Sequence, residues 1–268
     1  MTKTNRQPLV SIIMATYNSS ETILSSIESI LNQTYKNIEL IIINDKSTDD
    51  TKLNISRFIN NSRVHVYNNQ INIGLAKSLN KAIKASKGDY IARMDDDDIS
   101  HPNRIQKQID FFQNNMDIDV LGTSARLMDS NMNFIRKYLP PENDKDIKKN
   151  LCHSNPIIHP SVMVSREFFQ KSNGYNESLR RKEDLDLWGR MAKKVKFHNL
   201  QDCLIDYRVK PNKTLAAVPV GVYIRIKNGL RLGCLYKAII WAILYIFVEI
   251  FRHMGYTQKK TKKQLKAL

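Results

Sequence analysis

Four aspartates in a row, Asp95 to Asp98, follow directly on the apolar stretch Tyr90 to Met94. Like charges this close repel one another unless something positive sits among them. Carboxylate oxygens are the hard ligands of magnesium and manganese, and a magnesium site commonly combines one or two carboxylates with substrate phosphates. The cluster therefore predicts a divalent cation and a phosphate-bearing substrate. The plain alternative is a solvated acidic loop, since Asp is a common loop residue. Position favours the metal, because ligands of open α/β sheets bind beyond the carboxyl ends of strands.

Two more strand ends carry polar groups. Val10 to Ala15 is a short apolar run closed by Thr16, Tyr17 and Asn18, and Ile38 to Ile43 is another closed by Asn44 and Asp45. In a parallel sheet such ends share one edge, so residues distant in sequence line one crevice. A nucleotide fits there. Asp45 would accept hydrogen bonds from base or ribose, Thr16 and Asn18 would offer polar contacts to the base, and the metal would bridge a diphosphate. Singly each is an ordinary turn or cap residue; jointly they describe a binding site.

These residues need a scaffold. Ile23, Leu24, Ile27, Ile30 and Leu31 have helical spacing with one apolar face. Val64 to Tyr67 reads as a third strand, Leu75, Leu79, Ala82 and Ile83 as a helix, and Tyr90 to Met94 as a fourth strand. Alternating buried strands and helices predict a mostly parallel sheet flanked by helices. Residues 8–98 are expected to form a nucleotide-binding half, with a second half over 99–209. Within the latter, a helix follows Pro102, a strand covers Val120 to Leu127, and Asp129-Ser130-Asn131 makes a hairpin turn. Residues 140–150 are expected to be a mobile loop, Ile157 to Val164 a strand, and Glu183 to about Lys194 an acidic-starting helix.

At 268 residues, 42% hydrophobic and 25% charged, the chain is of globular composition. Of its net charge of +16, the segment from Tyr207 onward carries +12 and the rest +4. Two parts with separate tasks are implied, a catalytic part over 1–209 and a basic tail over 210–268. Cys152, Cys203 and Cys234 show no metal or redox spacing, which suits a reducing cytosol. No secretory signal is expected at the start, where Lys3 and Arg6 precede only a short apolar run.

The segments Val10 to Asn18, Ile41 to Asp49, Asn72-Ile73-Gly74-Leu75, Tyr90 to Asp98, His159-Pro160-Ser161 and Glu183 to Trp188, in this order, resemble family 2 glycosyltransferases. The resemblance runs from about Pro8 to Val209. It implies the GT-A fold, a Rossmann-like sheet, and inverting transfer of a sugar from a nucleotide diphosphate, often a UDP-sugar, to an acceptor hydroxyl. By the same resemblance the Asp-x-Asp motif falls on Asp95 and Asp97, with Asp97 as metal ligand and Asp96 or Asp98 as helpers. Asp45 matches the nucleoside-binding aspartate and Asp184 the general base, while Glu183, His159 and Trp188 are expected on the acceptor side. The chemistry asks for these types: a metal offsets charge growing on the diphosphate, and a carboxylate takes the proton of a weak hydroxyl nucleophile. For Asp184 the plain alternative is a carboxylate offsetting a helix dipole. Two departures stand out. Lys46 replaces the glycine of the usual Asp-Gly-Ser turn, and Lys210 replaces the usual histidine after Tyr-Arg-Val.

In the tail, Ala238 to Val248 is an apolar run too short to span a bilayer, which takes about 20 residues. As a helix it would align Lys237, Trp241, Tyr245 and Glu249 along one edge, as for a helix lying in the headgroup zone. Lys259, Lys260, Lys262 and Lys263 would add attraction to anionic lipid. The expected partners are a nucleotide-sugar donor, a lipid-linked saccharide acceptor of lipopolysaccharide, O-antigen or capsule assembly, and an anionic membrane surface on the cytoplasmic side. A sugar-phosphate nucleotidyltransferase is the alternative enzyme, yet Thr16 to Ser20 lacks the glycine-rich basic loop such enzymes carry. Nucleic-acid binding fits the pI of 9.7 but finds no reading module.

Overall fold

Every residue of Val10–Thr16 (β1) and Ile38–Asn44 (β2) is buried. Continuous apolar runs suit strands covered on both faces. The two-residue period then divides the side chains: Ile12, Met14, Leu40 and Ile42 pack on one face, Ile13, Ala15, Ile41 and Ile43 on the other. Helix α1 (Ile23–Leu31) covers the first face with Ile23, Ile27 and Ile30. After α2 (Thr51–Ser56) and β3 (Val64–Asn68), helix α3 (Leu75–Ala85) covers the second face with Ala76, Leu79 and Ala82. Strand β4 (Tyr90–Arg93) pairs parallel with β1, opposite β2. The strand order β3-β2-β1-β4 thus reverses direction at β1, the switch point at which α/β sheets open a crevice.

The computed structural model describes residues 7–209 and 218–253. Lys210 and the lysines from 259 to 263 lie outside them, as do the side chains of Glu249 and Arg252. The second half adds β5 (Ile99–Ser100), α4 (Arg104–Asn114), β6 (Val120–Met128), β7 (Phe134–Tyr138), α5 (Asp144–Leu151), β8 (Met163–Ser165), α6 (Arg166–Ser172), α7 (Glu183–Met191) and β9 (Phe197–Arg208). Among the described residues nine strands form one continuous sheet, which runs on from β4 as β8-β6-β9-β5 with β7 beside β6. Only β6 and β9 pair in parallel in this half. The expected mostly parallel sheet is thus parallel in its first half and mixed in its second.

Several expectations need correction. Residues 144–151 of the supposed loop are helix α5, with Asn143 Oδ1 accepting from the Asp146 amide at 3.0 Å. Its buried pair, Ile147 and Leu151, is one helical turn apart, and acids open it while lysines close it. The supposed strand Ile157 to Val164 is mostly irregular, with a 3₁₀ turn at His159–Ser161 and strand only from Met163. Pro160 lacks a donor, and buried Arg104 and Gln108 take the carbonyls of Pro160 and Ser161. Strand β9 went unread because register shifts opposite Thr123 to Ala125 break its alternation. Lys46 adopts φ 64°, so the turn keeps its left-handed residue without the glycine.

The tail is also built differently. Helix α8 (Val218–Leu232) sits on α7: Asn228 Nδ2 donates to the Leu185 carbonyl at 3.1 Å and Arg231 pairs with Asp186 at 3.2 Å. Arg225 donates to the His153 carbonyl at 2.8 Å and stacks on the Tyr245 ring at 4.0 Å. Part of the tail's basicity therefore holds it to the catalytic body. Helix α9 (Leu235–His253) turns Ala238 and Ala242 inward and leaves Ile239, Ile240, Ile243, Leu244, Phe247 and Val248 between 39% and 55% exposed. Tyr245 packs against α8 instead of lying along an outer edge with Trp241. No helix among the described residues is long and apolar enough to cross a membrane. A disulfide joins Cys152 to Cys234, a pairing their spacing did not announce and one that sits poorly with the expected reducing compartment. The pairing was invisible because 82 residues separate the two and only the return of the tail onto α5 brings them together.

Candidate active site

Two cavities meet beyond the carboxyl ends of β1, β2 and β4. The first, about 560 Å³, is lined by Thr16, Tyr17, Asp45, the Asn72–Leu75 turn, Asp95 to Asp97, Arg181 and Arg208. The second, about 520 Å³, is lined by Arg93, Arg136, Tyr138, Asn155, His159 and Lys182 to Asp184. Leu75, Asp95, Tyr207 and Val209 line both. A molecule in one cavity therefore faces a molecule in the other across Asp95.

In the first cavity Asp45 is buried and shapes the wall. Its carboxylate accepts from the Gly74 amide at 2.7 Å, the Ile73 amide at 2.9 Å and Asn69 Nδ2 at 2.8 Å. An ionised carboxylate has about four acceptor positions, so one remains for a ligand. Thr16 lines the cavity with its hydroxyl oxygen buried. Asn18 does not: it is exposed and ties two loops, accepting from the Thr48 amide at 2.8 Å. Tyr17, 47% exposed on the cavity wall, is a flat surface on which a base can stack, and a lone loop tyrosine gave no signal in the sequence.

The four aspartates divide their roles. Asp95, Asp97 and Asp98 bring one carboxylate oxygen each within 4.8 Å of one another. Asp96 instead turns away to accept from Ser19 Oγ at 2.6 Å. Asp98 takes the Arg208 amide at 2.8 Å on Oδ1, while its buried Oδ2 has no hydrogen-bond partner among the described residues. Burial, then Asp95 and Asp97, push the Asp98 carboxyl well above its ordinary range. Three hard oxygens with one unsatisfied buried acceptor fit a divalent cation. Arg93, fully enclosed, pairs with Asp95, and although burial opposes its charge this partner holds the guanidinium above its ordinary range. Arg104 donates to the carbonyls of Arg93 at 3.2 Å and Pro160 at 2.9 Å, fixing the end of β4 to the floor of the second cavity.

In the second cavity, Lys182 at φ 63° turns the chain so that Glu183 and Asp184 open α7 at the cavity wall. Asn155 Nδ2 donates to Asp184 Oδ2 at 2.5 Å, and the Leu185 amide to Oδ1 at 2.8 Å. Burial and then Asp184 push the Glu183 carboxyl up to about 7. His159 meets the Tyr175 hydroxyl at 2.8 Å, and burial followed by Arg93 holds its imidazole well below the ordinary range, hence neutral at pH 7. Trp188 is not on the cavity wall. It is fully buried behind it, edge-on to His159 and Phe197. Sequence reasoning gave no role to Asn155, Arg93, Tyr207 and Arg208: Asn155 belongs to no motif, and the other three lie in quoted segments whose neighbouring aspartates or lysine drew the reading instead.

The family described as Glycosyl transferase family 2 matches residues 11–172. An uncharacterized glycosyltransferase of Methanocaldococcus jannaschii is 38% identical over 212 residues, covering 77% of this chain and 72% of the relative. The O-antigen biosynthesis glycosyltransferase WbnJ of Escherichia coli is 35% identical over 211 residues, covering 77% and 82%. Among solved structures, S. aureus TarS 1-349 in complex with UDP-GlcNAc is similar with a TM-score of 0.69 at 16% identity, over 92% of this chain and 73% of that one. Mannosyltransferase PcManGT of Pyrobaculum calidifontis, in complex with GDP-Man and Mn2+, has a TM-score of 0.63 at 13% identity, over 98% and 82%. The parallel half-sheet, its polar strand ends and these likenesses agree, and the chain belongs to glycosyltransferase family 2.

Proposed function

We propose that this glycosyltransferase moves a sugar from a nucleotide diphosphate, a UDP-sugar, to a hydroxyl of a lipid-linked saccharide with inversion at the anomeric carbon. The observation that carries this is the shared wall at Asp95, which sets the carboxylate cluster of one cavity against the Glu183–Asp184 pair of the other. Asp45, Thr16 and Tyr17 would receive the nucleoside. Asp95, Asp97 and Asp98 would hold Mg2+ or Mn2+, which when bound neutralises charge on the leaving diphosphate. Asp184, oriented by Asn155, would take the proton of the acceptor hydroxyl as the new bond forms on the face opposite the leaving group. Neighbours described with UDP-GlcNAc and with GDP-Man and Mn2+ support the donor class and the cation, and a relative named for O-antigen biosynthesis supports the acceptor class.

The same reading attaches the protein peripherally to a membrane surface. Six large apolar side chains exposed along α9 support it, since monomeric proteins rarely expose a contiguous patch of this kind. Incubating the protein with a panel of nucleotide sugars and Mg2+ or Mn2+ tests the reaction. Metal-dependent release of UDP is expected, and Asp184→Asn is expected to lower turnover by about 10²- to 10⁴-fold while calorimetry shows unchanged donor affinity. Release of pyrophosphate from a nucleoside triphosphate and sugar phosphate would instead establish the nucleotidyltransferase.

A further inference from the structure

A third cavity lies away from the active site, where α5, the end of α7 and the start of α9 meet. It measures about 640 Å³ and is lined by Lys148, Lys149, Lys193 and Lys237, over a floor that includes Leu232 and the Cys152–Cys234 disulfide. No acid lines it. Lys148 is paired with Asp144 at 2.8 Å, while Lys149, Lys193 and Lys237 are exposed at the rim. Gathering three ammonium groups from separate elements is unfavourable without an anion. Lys237 begins the outward face of α9, and one turn later Trp241 stacks on His153 at 4.8 Å between ring centres. After burial, the charges of Arg225, Lys237 and Lys149 hold the His153 imidazole below its ordinary range, an independent sign of concentrated positive charge there.

We infer that this lysine cleft is a docking site for anionic phospholipid headgroups, used together with the exposed apolar face of α9. The site rests on the membrane attachment proposed above and names its contacts. Charge complementarity selects the occupant: a bilayer surface offers phosphates at the cleft and hydrocarbon at Ile240, Ile243 and Phe247 at once, which no free anion does. Three of the four lysines belong to the catalytic body or the loop after α7, so binding would set the orientation of the whole enzyme. Cys152 in the cleft and Asn155 at the second cavity are three positions apart, at most about 11 Å of chain. A docked bilayer would thus stand close to where a lipid-linked acceptor must present its hydroxyl.

Flotation of the full chain with vesicles of phosphatidylcholine, with and without phosphatidylglycerol, tests this. The wild type is expected to float with the phosphatidylglycerol vesicles. The triple variant Lys149→Gln, Lys193→Gln, Lys237→Gln is expected to partition about fivefold more weakly per lysine, on the order of a hundredfold in all. Its Tm and its rate of donor hydrolysis in vesicle-free solution should match the wild type. A control triple at exposed lysines elsewhere, Lys52→Gln, Lys84→Gln and Lys87→Gln, should change partitioning little. Equal losses in both triples, or none in the cleft triple, would overturn the headgroup site while leaving attachment intact. Failure of the wild type to float would overturn both.

Discussion

The two cavities share a wall and differ in how they are made. The first takes Thr16, Tyr17, Asp45 and its aspartate cluster from the ends of neighbouring parallel strands, each close to an apolar run, with Arg181 and Arg208 added from the second half. The second draws on Arg93, Arg136, Asn155, His159 and Asp184, brought together by β4, β7, the irregular segment before β8 and α7. Binding a phosphate-bearing ligand needs charge in the right region, which strand ends supply at once. Orienting a base toward one hydroxyl needs a side chain held from several directions, which requires packing between elements. The first cavity is therefore expected to fail when charge is removed, and the second when a contact is.

Removing charge should have the largest effect. Asp97→Asn is expected to cut transfer on the order of a thousandfold, and chelation of divalent metal should abolish it until Mg2+ or Mn2+ is restored. Retained turnover of the variant in a donor-consumption assay would break the contrast at its stronger side. A smaller loss is expected from Asn155→Ala, which frees Asp184 from its 2.5 Å amide contact. A hydrogen bond to a charged group is commonly worth about 1.5–3 kcal/mol, so kcat should fall by about tenfold or more with the donor KM unchanged. A matching rise in donor KM would show that Asn155 serves the first cavity instead.

The smallest effect concerns stability and pH. Glu183 titrates at about 7 in the folded protein, above its ordinary 4.5, so the native state holds a proton that the unfolded chain has lost between these values. Its contribution to stability is therefore present below pH 4.5 and is lost as pH rises to about 7. Glu183→Gln should remove that decline, giving a flatter Tm between those limits by calorimetry. An unchanged slope would assign the pH dependence to other groups.

How far the sequence reached follows the same division. Strands β1, β2 and β4 and helices α1 and α3 were legible because both faces of the central sheet are covered, so periodicity and burial agree. Asp45 and the aspartate cluster stood out because charged groups after apolar runs have few structural reasons to be there. Helix α5 was missed although its cap and its Ile147–Leu151 spacing were present, since the polar residues around that pair concealed it. Strand β9 was missed because its alternation breaks where the register shifts. Trp188, four positions after Asp184, is buried in the core because His159, Phe168 and Phe197 from other elements close around it, which helical spacing by itself does not tell.

The amino-acid sequence alone determined the strands of the parallel half-sheet and the ligand types at their ends, because each strand is one short apolar run and its polar groups follow directly on it. Only the tertiary structure decided that Asp98, not Asp96, completes the carboxylate cluster, that Asn155 holds Asp184, and that Cys152 meets Cys234. Each of these depends on the direction of a side chain set by contacts across tens of residues, and no local pattern carries that information.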